Sequence, residues 1–150
     1  MKTLPITASQ EEIRALVIEW NELLAQEKYK EALEMFLLAE ISELDWTPEL
    51  LESDVYGYGC PGYTREEAEK EFGSADYKVT SIWENPDREK IINSIDISSD
   101  FAWMGKDDIA VIHYDKVPVN GEMSDLTARF FVRKVNDNEI TLAFIDMYVM

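Results

Sequence analysis

Near Asp76 the spacing of apolar residues changes from about 3.6 to two. Few folds accommodate both periods in one short chain. Before that point Ile13, Leu16, Val17, Trp20, Leu23 and Leu24 recur on one helical stripe, opened by the capping-box pair Ser9 and Glu12. The stripe restarts at Tyr29, Ala32, Leu33, Phe36 and Leu37. Pro48 opens a third helix towards Val55, and Thr64 with Glu67 opens a short polar one ending near Gly73. After Asp76 the alternation predicts five strands: Tyr77 to Trp83, Ile91 to Ile97, Ile109 to Val117, Leu126 to Val135 and Ile140 to Val149. Asn85-Pro86-Asp87, Asn120-Gly121 and Asn136-Asp137-Asn138 are the turns between them. In the last strand Ile140, Leu142 and Phe144 share one face while Ile145, Met147 and Val149 take the other, so a bulge is expected near Phe144–Ile145.

Helices followed by a meander predict an α+β fold. N-terminal helices, within about 9–75, should pack on one face of a curved, mainly antiparallel sheet within about 76–150, as one domain over 1–150. The order of elements resembles the cone-shaped fold of the SnoaL-like, ketosteroid-isomerase-like and nuclear-transport-factor-like proteins. The opening pair EEIRALVIEWNELLAQEKYKEALEMF and the closing hairpin DLTARFFVRKVNDNEITLAFIDMYV carry that resemblance. It is a likeness of layout covering most of the chain. A cystatin-like or another helix-on-sheet arrangement satisfies the same pattern.

Charge narrows the partners. Thirty-one acids against 14 bases give a net charge of −17. Such a chain repels phosphate backbones and anionic lipid, so neither nucleic acid nor a membrane surface is expected as a partner. No apolar run reaches the ~20 residues of a bilayer span. The stretch from Met1 to Gln10, broken at Pro5, is too short for a signal segment, and Cys60 is the single cysteine, so a reducing cytoplasm is expected. One His and one Cys do not make a zinc site, and neither Asp107-Asp108 nor Asn136 to Glu139 has the spacing of a calcium loop. No cofactor is expected.

Three motifs bear on chemistry. Gly57-Tyr58-Gly59-Cys60-Pro61-Gly62 has the letters of a dinucleotide loop but lacks the preceding strand and βαβ unit, so it reads as a turn packed by Tyr56, Tyr58 and Tyr63, or as a lid. Cys60 has no base near it before Arg65, and reads as an ordinary thiol. His113 and Asp115 are two apart on one strand and point to one face, where a carboxylate can orient an imidazole as a general base. Asp146 and Tyr148 join them if the meander forms one concavity. That arrangement would look like the polar pocket of SnoaL-like isomerases and dehydratases.

The strongest bias is local. No Lys or Arg stands between Lys30 and Arg65, a stretch holding eight acids. Within it Glu40, Glu43, Asp45, Glu49, Glu52 and Asp54 interleave with Trp46 and Tyr56, a composition that fits a basic protein partner: charge steers the encounter and rings anchor it. A solvated helix face with its rings in the core has the same composition. In size, charge and lack of catalytic motif the chain is similar to the immunity proteins, small inhibitors of nuclease-type toxins. Three functions remain open: a non-enzymatic binding module with an acidic surface, a SnoaL-like pocket performing acid–base chemistry with His113, or a small-molecule binder or homodimer joined through its sheet.

Overall fold

The computed structural model describes residues 1–99 and 102–149. In chain order the elements are β1 (Leu4–Pro5), α1 (Gln10–Ala25), α2 (Tyr29–Glu34), β2 (Leu37–Leu38), α3 (Pro48–Tyr56), α4 (Arg65–Phe72), α5 (Arg88–Asn93), β3 (Ile95–Ser98), β4 (Asp108–Tyr114), β5 (Pro118–Val119), β6 (Glu122–Met123), β7 (Leu126–Lys134) and β8 (Glu139–Val149). The main sheet runs β1-β8-β7-β4-β3 with antiparallel pairing along that path, takes β2 against β8 in parallel, and curls into a half-barrel against the N-terminal helices.

Local chemistry accounts for the helix starts. Ser9 Oγ accepts from the Glu12 amide and Glu12 Oε1 accepts from the Ser9 amide, a complete capping box. Thr47 and Thr64 cap α3 and α4 through one bond each, their hydroxyls accepting from the amides of Leu50 and Glu67. α1 then buries Ile13, Leu16, Val17, Trp20 and Leu24 against the sheet.

Period two along the strands splits the sheet into two faces. Ala110, Ile112 and Tyr114 of β4, Ala128, Phe130 and Val132 of β7, and Leu142, Phe144 and Met147 of β8 belong to the helix-side core. That side is filled by rings: Trp20 meets Phe130 edge-on at 5.0 Å, Phe36 meets Phe130 at 5.8 Å and Trp46 meets Phe144 at 5.0 Å. Tyr114 donates from its hydroxyl to Asn21 Oδ1 at 2.9 Å, satisfying two fully buried polar groups at once. Val111, Phe131, Ala143 and Ile145 point the other way and form a second, smaller cluster with Ala39.

The bulge lies where the phase slips. Arg129 pairs with Asp146 but Phe130 pairs with Phe144, leaving Ile145 as the extra residue of β8. Asn120 and Gly121 both have positive φ, 52° and 82°, and turn β5 into β6.

Four expectations are corrected. The segment 77–83 makes only an isolated bridge, Val79 to Val119, because β5 beside it is two residues long, and other amides of the segment bond to side chains of Asn120 and Glu22. The expected strand Ile91 to Ile97 is half helix: α5 runs through Asn93 and the strand begins at Ile95, so one helix lies in the half assigned to the sheet. The third expected strand ends at Tyr114, and Pro118–Val119 belongs to a separate two-stranded hairpin. The expected second helix stops at Glu34, and Leu37–Leu38 joins the edge of β8 as a two-residue parallel strand.

Candidate functional site

On the sheet face away from α1, register builds a row of polar side chains. Asp96 of β3 stands opposite His113 of β4, His113 opposite Arg129 of β7, and Arg129 opposite Asp146 of β8. Arg129 donates from Nε to Asp146 Oδ1 at 2.8 Å and from Nη2 to Oδ2 at 2.7 Å. These bonds to the carboxylate hold the guanidinium pKa above its ordinary value. The guanidinium carbon also sits 5.1 Å from the centre of the Tyr148 ring.

His113 and Asp146 share this face, as expected, but Arg129 stands between them and engages both oxygens of Asp146. Two strand spacings of about 4.8 Å separate their backbones. The half-buried His113 lies opposite Asp96 in register; Asp115 is exposed one residue past the end of β4, where its amide bonds to Ser94 O. Tyr148 stacks on Arg129. His113, Asp146 and Tyr148 thus share a face of the sheet with Arg129 among them, and Asp115 lies beyond the end of β4 within electrostatic reach of Tyr148. That face is not the concave interior, which the rings of the core occupy.

Beside Arg129 and Asp146 opens a cleft of about 590 Å³. Ile145 shares its floor, Ile41, Ser42, Glu43 and Leu44 form one wall, and Trp103 contributes another. Ile41 is 42% exposed, Leu44 39% and Trp103 66%. The wall is held from below: Trp46 donates from Nε1 to Ile145 O at 3.1 Å and to Ser42 Oγ at 2.8 Å, fastening the loop to the bulge. Arg133 fastens its start, bonding Asp108 at 2.7 Å and Glu40 at 2.9 Å. The hydrogen bond from Arg133 keeps the Glu40 carboxyl below its ordinary pKa.

The acidic segment divides accordingly. Trp46 is 6% exposed and belongs to the core, Tyr56 is buried beneath Arg65 and donates to Tyr63 O, and Asp54 is fully buried. These three are not on a surface, which corrects their placement among partner-binding residues. Their apolar neighbours claim them: Phe144 for Trp46, and Ala68 and Ala75 for Tyr56. Glu40 is exposed and paired with Arg133, and the half-buried Glu52 is paired with Arg65. Glu43, Asp45 and Glu49 are exposed, and no ion pair among the described residues includes them. Arg129, Trp103, Ile41 and Leu44 are the site residues that sequence reasoning missed. Alternation alone puts Arg129 on the His113 face, but only register puts it opposite His113.

The Gly-rich loop has a packing role. Gly59 has φ 88°, and a Cβ there would fall 2.9 Å from the Val149 amide nitrogen, so a side chain would push the loop off the end of β8. Tyr58 and Tyr63 pack on Tyr77 and Phe72, and Cys60 is exposed. Among the described residues no three His, Cys, Asp or Glu side chains group as a metal site, and no helix is long and apolar enough to cross a membrane. No family model, curated protein or solved structure matches the chain.

Proposed function

We propose that the protein is a binding module whose contact surface is the cleft rim formed by Ile41, Glu43, Leu44 and Trp103 together with the exposed Asp45 next in sequence, and that its partner is a basic protein. The observation that carries this reading is the exposure of two aliphatic side chains and an indole around one cleft, beside acids that enter no ion pair among the described residues. Exposed apolar groups rimmed by charge are the usual composition of a contact surface. The floor supports a contact role over a chemical one. Arg129 and Asp146 satisfy each other there, which leaves recognition to the rim. A partner Lys or Arg would meet Glu43 and Asp45 while an apolar side chain enters between Leu44 and Trp103. The mode of action is inhibitor-like, in that it occupies a basic surface by complementarity of charge.

The SnoaL-like resemblance enters this reading as architecture only. A half-barrel with helices on one side is compatible with a cone, but an acid–base pocket in its interior would have to displace Trp20, Phe130 and Phe144.

The test is retention of partners from native lysate at about 50 and about 300 mM salt. Wild type should retain a discrete basic protein at the lower salt. Glu43→Lys/Asp45→Lys/Glu49→Lys and, separately, Trp103→Ala should both lose it with the fold intact. Retention of the same protein by both variants would refute the reading.

A further inference from the structure

A second cavity, of about 620 Å³, lies on the outer side of α1, and it shares no residue with the cleft. Ala15, Ile18 and Ile92 give it an apolar lining, and Trp83, 56% exposed, adds an indole. Its polar groups are Glu11, Glu19, Glu22, Arg14 and Asn93. Their pairing is uneven. Arg14 donates from Nε to Ile95 O, and Glu19 pairs with Lys2 at 3.1 Å. Glu22 is half-buried and accepts from Ser81 Oγ, the Ile82 amide and Asn21 Nδ2. All three donors are neutral, and no ion pair among the described residues includes Glu22.

We propose that this groove binds a small organic ammonium, an amine carried on an apolar body, with Glu22 and Trp83 receiving the cation and Ile18 and Ile92 receiving the body. A carboxylate held in one position, in no ion pair among the described residues, beside an indole and an apolar wall is a complementary site for such a ligand. The rigidity matters. Glu22 is fixed by three bonds in the free protein, so binding need not order it, and the ordering cost falls on the ligand. Glu11, which has no ion pair among the described residues, adds negative potential at the mouth. The volume lies within the range of drug-sized ligand sites, about 300 to 1,000 Å³.

The experiment is a nuclear magnetic resonance titration with phenethylamine, with 2-phenylethanol as its neutral counterpart. Phenethylamine should shift the Trp83 indole resonance and the amides of Ala15, Ile18 and Ile92, saturating below about 5 mM. The alcohol should bind at least about tenfold more weakly, because it lacks the charge. Trp83→Ala removes an exposed ring and should fold normally while weakening the amine about fivefold or more. Glu22→Gln should also weaken it, and Glu11→Gln covers the case in which loss of the Ser81 and Ile82 contacts unfolds that variant. Equal binding of amine and alcohol would overturn charge recognition. Shifts spread over acidic residues across the whole surface, with none saturating in the groove, would overturn the site. Neither result bears on the cleft around Trp103.

Discussion

Arg129 and Asp146 face each other across β7 and β8 immediately before Ile145 breaks the register, and both prongs of the guanidinium are closed on the carboxylate. The pair thus pins the strands on the far side of the bulge, where the ladder alone is weakest. Both side chains are mostly shielded, at 19% and 31% exposure. Removing either partner should cost about 1–3 kcal/mol, below the full cost for a buried pair because water still reaches both groups. Urea unfolding of Arg129→Ala, Asp146→Ala and the double variant measures it. A coupling energy near zero would show that the contact contributes only packing.

The two tryptophans of the cleft region should separate stability from contact. Trp46→Ala removes a buried ring and the bonds to Ile145 O and Ser42 Oγ, and should cost about 3–5 kcal/mol. Trp103→Ala should change stability by no more than about 0.5 kcal/mol. Denaturant midpoints of the two variants test this. A large loss in Trp103→Ala would make that ring structural and would remove the anchor from the proposed contact surface.

Charge repulsion should be measurable without a partner. The wild-type chain carries −17, so added salt should raise its melting temperature. Reversing Glu43, Asp45 and Glu49 to Lys removes repulsion from the longest stretch that has no base of its own, and should flatten the salt dependence. A variant melting with the wild-type salt slope would mean that the segment is already neutralised by neighbours.

The parts of this fold legible in the sequence are those in which one signal had no competitor. β7 and β8 carry long alternation, and their bounds fall within a residue of expectation, as does the bulge marked by the phase slip at Ile145. Ile91 and Ile95 satisfy a helical spacing as well as an alternating one, and over so short a run the period does not choose; α5 takes the first and β3 the second. Segment 77–83 alternates correctly but meets only the two-residue β5, too short for a ladder, a fact of tertiary pairing. The site was less legible. Trp46, Asp54 and Tyr56 sit among acids in the sequence, yet the helical turn of α3 and the bond from Trp46 to Ile145 carry them inward. Trp103 lies 60 residues from the loop it faces, and no local pattern joins them.

Asp54 should make stability fall as pH rises towards 8. It is fully buried near the C-terminal end of α3, and neither carboxylate oxygen has a hydrogen-bond partner among the described residues. Burial, with a smaller contribution from the charge on Asp146, pushes its pKa up to about 8. The unfolded chain ionises the same group near 3.9. Between about pH 4 and about pH 8 the folded state therefore keeps a proton that the unfolded state has lost, and linkage makes stability decline across that window and level off above it. Asn has the same shape and no charge to bury. Asp54→Asn should match wild type at about pH 2.5, where both states hold the proton, and exceed it by about 4–6 kcal/mol at about pH 9, the worth of a pKa raised by about four at about 1.4 kcal/mol per pH unit. The amide of Asn shares the polar-burial cost of the neutral acid, so that cost cancels and the difference reports the ionisation of Asp54. The measurement is the difference between the two unfolding free energies as a function of pH, which cancels the titration of the other carboxylates. A difference that stays constant from pH 4 to 9 would mean that Asp54 ionises alike in both states, through water reaching the carboxylate or a rearrangement of α3 that supplies it a donor.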